Sequence, residues 1–176
     1  MIPPSSNPYS LAGGACFALA GAAFDLRWRR IPNRLTGAAL LIALVLNTLT
    51  GGMRGLLDSL AACLLAGGAF AIMFFMGGMG GGDVKLMAAI AAFAGLAHLA
   101  PLLLATALAG GVFALVMAIV HGSLGCTLRR MFGWIWPRRR SHYDSANNAV
   151  SRLYLPYGVP IAVGALLTFY SGVLAS

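Results

Sequence analysis

The chain contains no glutamate, and its acidic residues number four, all aspartate: Asp25, Asp58, Asp83 and Asp144. Without glutamate there is no HExxH helix of the kind that zinc peptidases use. No GxSxG run occurs, so a serine nucleophile elbow is absent as well. Charge of either sign is scarce, at 9% of 176 residues. A soluble domain carries about 25%, so that class is disfavoured. Disorder is disfavoured by the 60% apolar content, since disordered chains combine low hydrophobicity with high net charge. Cysteine is limited to Cys16, Cys63 and Cys126, with no CxxC pair. Neither a disulfide framework nor a zinc cluster is expected from these, and packing within helices is the simpler role.

What is abundant is long apolar sequence, with a mean hydropathy of +0.85. About 20 apolar residues span the roughly 30 Å core of a bilayer. The start, Met1-Ile2-Pro3-Pro4-Ser5-Ser6, has no basic residue ahead of its apolar stretch, so the first span is expected to be a retained helix and not a signal peptide. Charge-free windows lie at 1–24, 35–53, 59–82 and 153–176. A longer one, Leu86 to Leu128, would reach about 65 Å as one helix and must turn. His98-Leu99-Ala100-Pro101 is the expected turn, because Pro101 suits the first turn of a new helix. The expected fold is therefore all-α: a single polytopic integral membrane domain over 1–176. It has about six transmembrane helices, near 9–25, 35–52, 57–77, 83–98, 101–121 and 154–174.

The basic residues orient these spans. Arg27, Arg29, Arg30, Arg34, Lys85, Arg129, Arg130, Arg138, Arg139, Arg140 and Arg152 fall in alternate loops, and only Arg54 falls in the other set. By the positive-inside rule the rich set is cytoplasmic and both termini face the other side. The basic loop at about 122–153 also holds Phe132, Trp134 and Trp136. That composition suits a topology determinant anchored at anionic lipid headgroups. Nucleic acid is not an expected partner, since no folded basic surface accompanies the loop. The sequence sets no oligomeric state.

This topology sorts the four acids. Asp58 follows Arg54 by four residues and reads as a helix N-terminal acid with a local partner. Asp144 lies in a polar stretch and reads as solvated. Asp25 closes the first span, where a carboxylate faces the negative end of the helix dipole unless it pairs with Arg29. Asp83 opens the fourth span after Gly80-Gly81-Gly82, a place that also suits an ordinary N-cap. Each alone fits a structural role. Together they sit at one membrane depth on the cytoplasmic side. Two carboxylates close together in a poorly solvated site share a proton. One then activates water while the other polarises a carbonyl, the chemistry of aspartic proteases. No metal and no cofactor are expected.

The run Gly77-Gly78-Met79-Gly80-Gly81-Gly82 continues as Asp-Val-Lys, unlike a phosphate loop, which continues as Lys-Ser or Lys-Thr. It is either a flexible loop or non-helical backbone that admits a substrate chain closely. His98, His121 and His142 fall in different loops, with His98 on the side opposite the acids, so they are not expected to form a metal site. Met73, Met76, Met79 and Met87 are core filler or adaptable lining.

Phe24-Asp25 followed by Arg30-Ile31-Pro32-Asn33 resembles the first catalytic motif of type IV prepilin peptidases. Gly80-Gly81-Gly82-Asp83-Val84-Lys85-Leu86 resembles their second, GxGD followed by a lysine, and Leu155-Pro156-Tyr157-Gly158-Val159-Pro160 resembles the segment opening their last helix. The resemblance implies a membrane aspartic endopeptidase of the bacterial inner membrane. Such enzymes cut the basic leader from prepilins or pseudopilins at the cytoplasmic face, with Asp25 and Asp83 as the catalytic pair. Pro32, Asn33, Gly80, Gly82, Lys85, Pro156 and Gly158 would bind substrate or shape the site. Pro32 and Asn33 also fit a plain turn, Lys85 also fits snorkelling to headgroups, and Pro156 and Gly158 also fit a helix cap. Lacking CxxC motifs, the chain resembles the short form linked to Flp-type pili and tight adherence, for which methyltransferase activity is not expected. Two other readings use the same acids. One is a non-enzymatic six-span transporter or assembly scaffold. The other is a GxGD protease of presenilin or signal-peptide-peptidase type, although Tyr143-Asp144 follows GxGD here and Pro-Ala-Leu is absent.

Overall fold

Four helices make up the described part of the chain, residues 8–120 and 157–175 of a computed structural model. They are α1 (Pro8–Trp28), α2 (Asn33–Phe75), α3 (Gly81–Val120) and α4 (Gly158–Ala175). Among the described residues α1, α2 and α3 are long and apolar enough to cross a membrane, and α4 is a shorter apolar helix. Large apolar side chains such as Leu41, Leu49, Leu64, Phe75 and Leu104 point outward. Soluble proteins rarely leave so much apolar surface open, and this is an all-helical membrane protein.

The six separate spans expected from the sequence are replaced by four helices, two of them interrupted. α2 has 43 residues and breaks at Gly52, with φ 61° and ψ −144°. α3 has 40 residues and breaks at Gly95, with φ 65° and ψ 180°. Both conformations belong to a region that essentially only glycine adopts. The turn expected at 98–101 is therefore corrected to Gly95, and Pro101 lies inside the helix that follows. The physical reason is that positive φ reverses the chain directly, whereas proline only forgoes one hydrogen bond early in a helix.

The break folds α2 back. Asn47 Nδ2 and Ser59 Oγ donate to the same acceptor, the Ala92 carbonyl, at 2.8 and 2.7 Å. Twelve residues of straight helix would separate them by about 18 Å. In α3 the turn lets Ile90 and Leu102 line one cavity with Leu11 and Ala165. Asp58 does not pair with Arg54. Its carboxylate instead accepts from the Leu96 N–H, 3.2 Å away, at the start of the segment after Gly95.

The first part of α3 is the central helix. Leu86, Met87, Ala91, Ala92 and Phe93 are wholly buried. α1 lies against it through small residues, with Gly13 and Gly14 under the Phe93 ring and Gly21 against Leu86. α1 also packs on α4 and α2. Cys63 packs in the core and Cys16 is exposed, both as free thiols. The chain divides into two compact units. The first takes α1, α2, α4 and α3 as far as Gly110. The second begins at Gly111, and its described residues, 111–120, are helical. The basic loop at 122–153, with Asp144, His142 and Cys126, lies outside the described residues, as do His121 and Pro156.

Candidate active site

α1 ends where Arg29 turns left-handed, at φ 51°, and its N–H bonds the Asp25 carbonyl at 2.9 Å. This is an αL helix stop, made unusually by a residue other than glycine. Three residues later Pro32 is the N-cap of α2, and its carbonyl receives Leu35 and Thr36. The proline therefore starts α2 more than it stops α1. Its fixed φ suits the extended cap, and it has no N–H to leave unpaired.

Asp25 is 0% exposed at the end of α1. The pairing with Arg29 considered from the sequence does not form among the described residues. Instead Asp25 Oδ2 accepts from the Gly158 N–H at 2.9 Å, a bond between residues 133 apart. Gly158 is the first residue of α4, so its N–H is one of the free donors at a helix start. The positive end of α4 thus offsets the unfavourable end of α1. The approach is close: a Cβ on Gly158 would lie 2.9 Å from Asp25 Cβ.

Asp83 is 1% exposed in the first turn of α3. It is not the N-cap considered from the sequence. Gly80 holds that place, its carbonyl accepting from Asp83 and Val84. Asp83 Oδ2 reaches back to the Gly80 N–H at 3.2 Å, as the acid of a capping box does. Gly77, at φ 76°, makes the turn after α2 that delivers this segment. A Cβ on Gly82 would meet the Ile31 side chain at 3.3 Å, so the two connections run close together. Lys85 Nζ donates to Asn33 Oδ1 at 3.0 Å. The lysine at the head of α3 is thereby tied to the head of α2.

The two acids are therefore held alike. In each, Oδ2 takes a main-chain N–H, and Oδ1 is buried with no partner among the described residues. They are electrostatic neighbours, the charge of Asp25 acting on Asp83. The heads of α3 and α4 supply the donors, so positive helix ends favour negative charge here. Tyr157, quoted within a motif but not singled out from the sequence, also belongs to the site. It precedes the Gly158 donor, and its half-buried phenol feels the charge of Asp83. An aromatic between proline and glycine at a helix start was the available signal. Among the described residues no three of His, Cys, Asp and Glu gather as a metal-binding group.

No curated protein and no solved structure matches the chain. Residues 12–115, more than half of the sequence, match the type IV leader peptidase family. That stretch contains Asp25, the Ile31-Pro32-Asn33 connection, the glycines before Asp83, and Lys85. It stops short of Tyr157 and Gly158. With both acids inside a matched stretch that covers more than half of the sequence, the chain belongs to the type IV leader peptidase family.

Proposed function

We propose that the chain is a membrane aspartic endopeptidase that removes the leader from prepilins or pseudopilins, using Asp25 and Asp83. Family membership carries the coarser statement, a leader-peptidase-type protease. One observation supports the finer one: two buried carboxylates whose Oδ2 atoms are fixed and whose Oδ1 atoms have no partner among the described residues. A pair so arranged shares one proton. The ionised member takes a proton from water as the water oxygen attacks the scissile carbonyl carbon. The protonated member gives its proton to the carbonyl oxygen. The tetrahedral diol then collapses: the C–N bond breaks, the departing nitrogen takes the proton of the protonated member, and one diol hydroxyl returns its proton to the ionised member, so the pair again holds one proton.

In this reading each interrupted helix crosses the bilayer twice, giving six spans. The Arg-rich loops place the acids at the cytoplasmic face of the bacterial inner membrane, with both termini outside. The substrate helix enters with its leader in the cytoplasm and unwinds beside the 77–82 glycines. Pro32, Asn33, Gly80, Gly82, Lys85, Pro156 and Gly158 shape that cleft, and the basic 122–153 loop rests on anionic headgroups. Flp-type pilins are the proposed substrates, on the resemblance of the motifs around Asp25 and Asp83 to that form of the family.

The test is leader cleavage by the detergent-solubilised protein and its Asp25→Asn and Asp83→Asn variants. Wild type should yield the shortened pilin. Each variant should remain inserted and lose cleavage by about a thousandfold or more, as removal of a group acting in concert does. Full processing by an inserted Asp25→Asn protein would sink the assignment.

A further inference from the structure

At the end of α1 remote from the acids, a buried polar cluster sits on the break in α3. In an unbroken helix the Ala92 carbonyl would accept from Leu96 and the Phe93 carbonyl from Ala97. The Gly95 conformation removes that geometry, and the Leu96 N–H goes to Asp58. Two carbonyls are thus freed inside an apolar interior, where an unmet polar group is costly. Both are met by side chains from other segments. Asn47 and Ser59, on either side of the Gly52 break, donate to the Ala92 carbonyl and fill its two acceptor positions. Ser10 of α1 donates to the Phe93 carbonyl at 2.7 Å, and its hydroxyl also lies 3.2 Å from Asn47 Oδ1. Ser10, Asn47 and Ser59 are 1%, 2% and 0% exposed.

The cluster spans the two helices that carry the acids. α1 carries Ser10 near its start and Asp25 near its end, and α3 carries Asp83 in its first turn and Phe93 just before the break. Where they face each other, α1 offers small residues, Gly13, Gly14 and Gly21, and α3 sets Phe93 and Leu86 against them. Apolar contacts of this kind specify no partner atom, whereas a hydrogen bond to one named carbonyl fixes the position along the axis. One step of helix is about 1.5 Å, and a misplacement of about 1 Å at reacting atoms costs up to a hundredfold in rate.

We propose that Ser10, Asn47 and Ser59 are positioning residues, whose bonds to the carbonyls freed at Gly95 set the axial register that brings Asp25 and Asp83 together. The proposal rests on the peptidase reading only for its kinetic readout. The experiment therefore has two arms on the full-length protein. In the first, Ser10→Ala, Ser59→Ala and the near-isosteric Asn47→Leu are assayed for prepilin cleavage. The expected result is kcat lower by about tenfold or more with KM within about twofold, since substrate contacts are untouched. In the second, Asp25→Cys and Asp83→Cys are combined, with Cys16, Cys63 and Cys126 changed to Ser, and cross-linked with a short bifunctional reagent. Adding Ser10→Ala should lower the cross-link yield severalfold.

Unchanged kcat in inserted Ser10→Ala and Ser59→Ala proteins would overturn the proposal. So would an unchanged cross-link yield when kcat has fallen, which would mark a general loss of stability. Should Asn47→Leu fail to insert, the two alanine variants, each removing a single hydroxyl, still decide the point. Absence of cleavage by wild type would overturn the peptidase reading instead, and the cross-link arm would still decide the register.

Discussion

Both donors that hold the acids are main-chain groups, Gly158 N–H for Asp25 and Gly80 N–H for Asp83. Any residue except proline supplies such a donor, so what matters at these positions is the path of the chain and the room around it. Gly158 has almost no room. A methyl group there would lie 2.9 Å from Asp25 Cβ and 3.2 Å from the backbone of Ala22. Gly158→Ala should therefore push α4 off α1 and stretch the bond to Asp25. Overpacking of this kind costs about 1–3 kcal/mol. Cleavage should fall at least about tenfold while insertion persists, and a thermal melt of the purified protein should show a lower midpoint. A methyl group on Gly37 would meet nothing within 4 Å, so Gly37→Ala is the matched control and should be active. Lys85 and Asn33 hold their bond on an exposed surface, and its loss should matter far less than loss of the buried donors.

The helices themselves were legible where charge interrupts apolar sequence. The end of α1 falls just past Asp25 because Arg27, Arg29 and Arg30 begin there, and α3 begins with the glycines before Asp83. The breaks were legible to within a few residues, at 52–57 and 98–101, but the residues that make them, Gly52 and Gly95, were not. The chain has 23 glycines, and nothing in the local sequence marks Gly52 and Gly95 as the two with positive φ inside helices. Pro101 drew the expected turn because proline is visible in sequence and a backbone dihedral is not. The partnership of Ser10, Asn47 and Ser59 was equally hidden, since three polar residues far apart in the chain meet only once both helices have reversed. Element-scale tests follow. Gly95→Ala places a side chain in a conformation that costs about 1–3 kcal/mol, and the melting midpoint should drop accordingly. Asp58→Ala removes the acceptor of the Leu96 N–H and should cost about 1 kcal/mol. That loss should persist in high salt, because it comes from a hydrogen bond and not from an ion pair with Arg54.

At the scale of the whole molecule, the starts of α2, α3 and α4 meet at the end where α1 finishes, around the two acids. The sequence motifs pointed to this meeting, since their order and spacing placed Asp25, the Pro32-Asn33 connection, Asp83 and Gly158 at successive helix ends. The pair should titrate as one unit. kcat/KM is therefore expected to trace a bell against pH, with two apparent pKa values that belong to the pair and not to either residue. A profile flat across the acidic range would contradict a shared proton. The bond from Gly158 to Asp25 has a further consequence in time. Synthesis delivers Asp25 first and Asp83 soon after, but the donor that holds Asp25 arrives 133 residues later. A nascent chain that already contains both acids lacks the group that fixes the first of them. In the proposed reading, a membrane protease is thus kept incompetent until α4 has been made, and docking of α4 is the step that arms it.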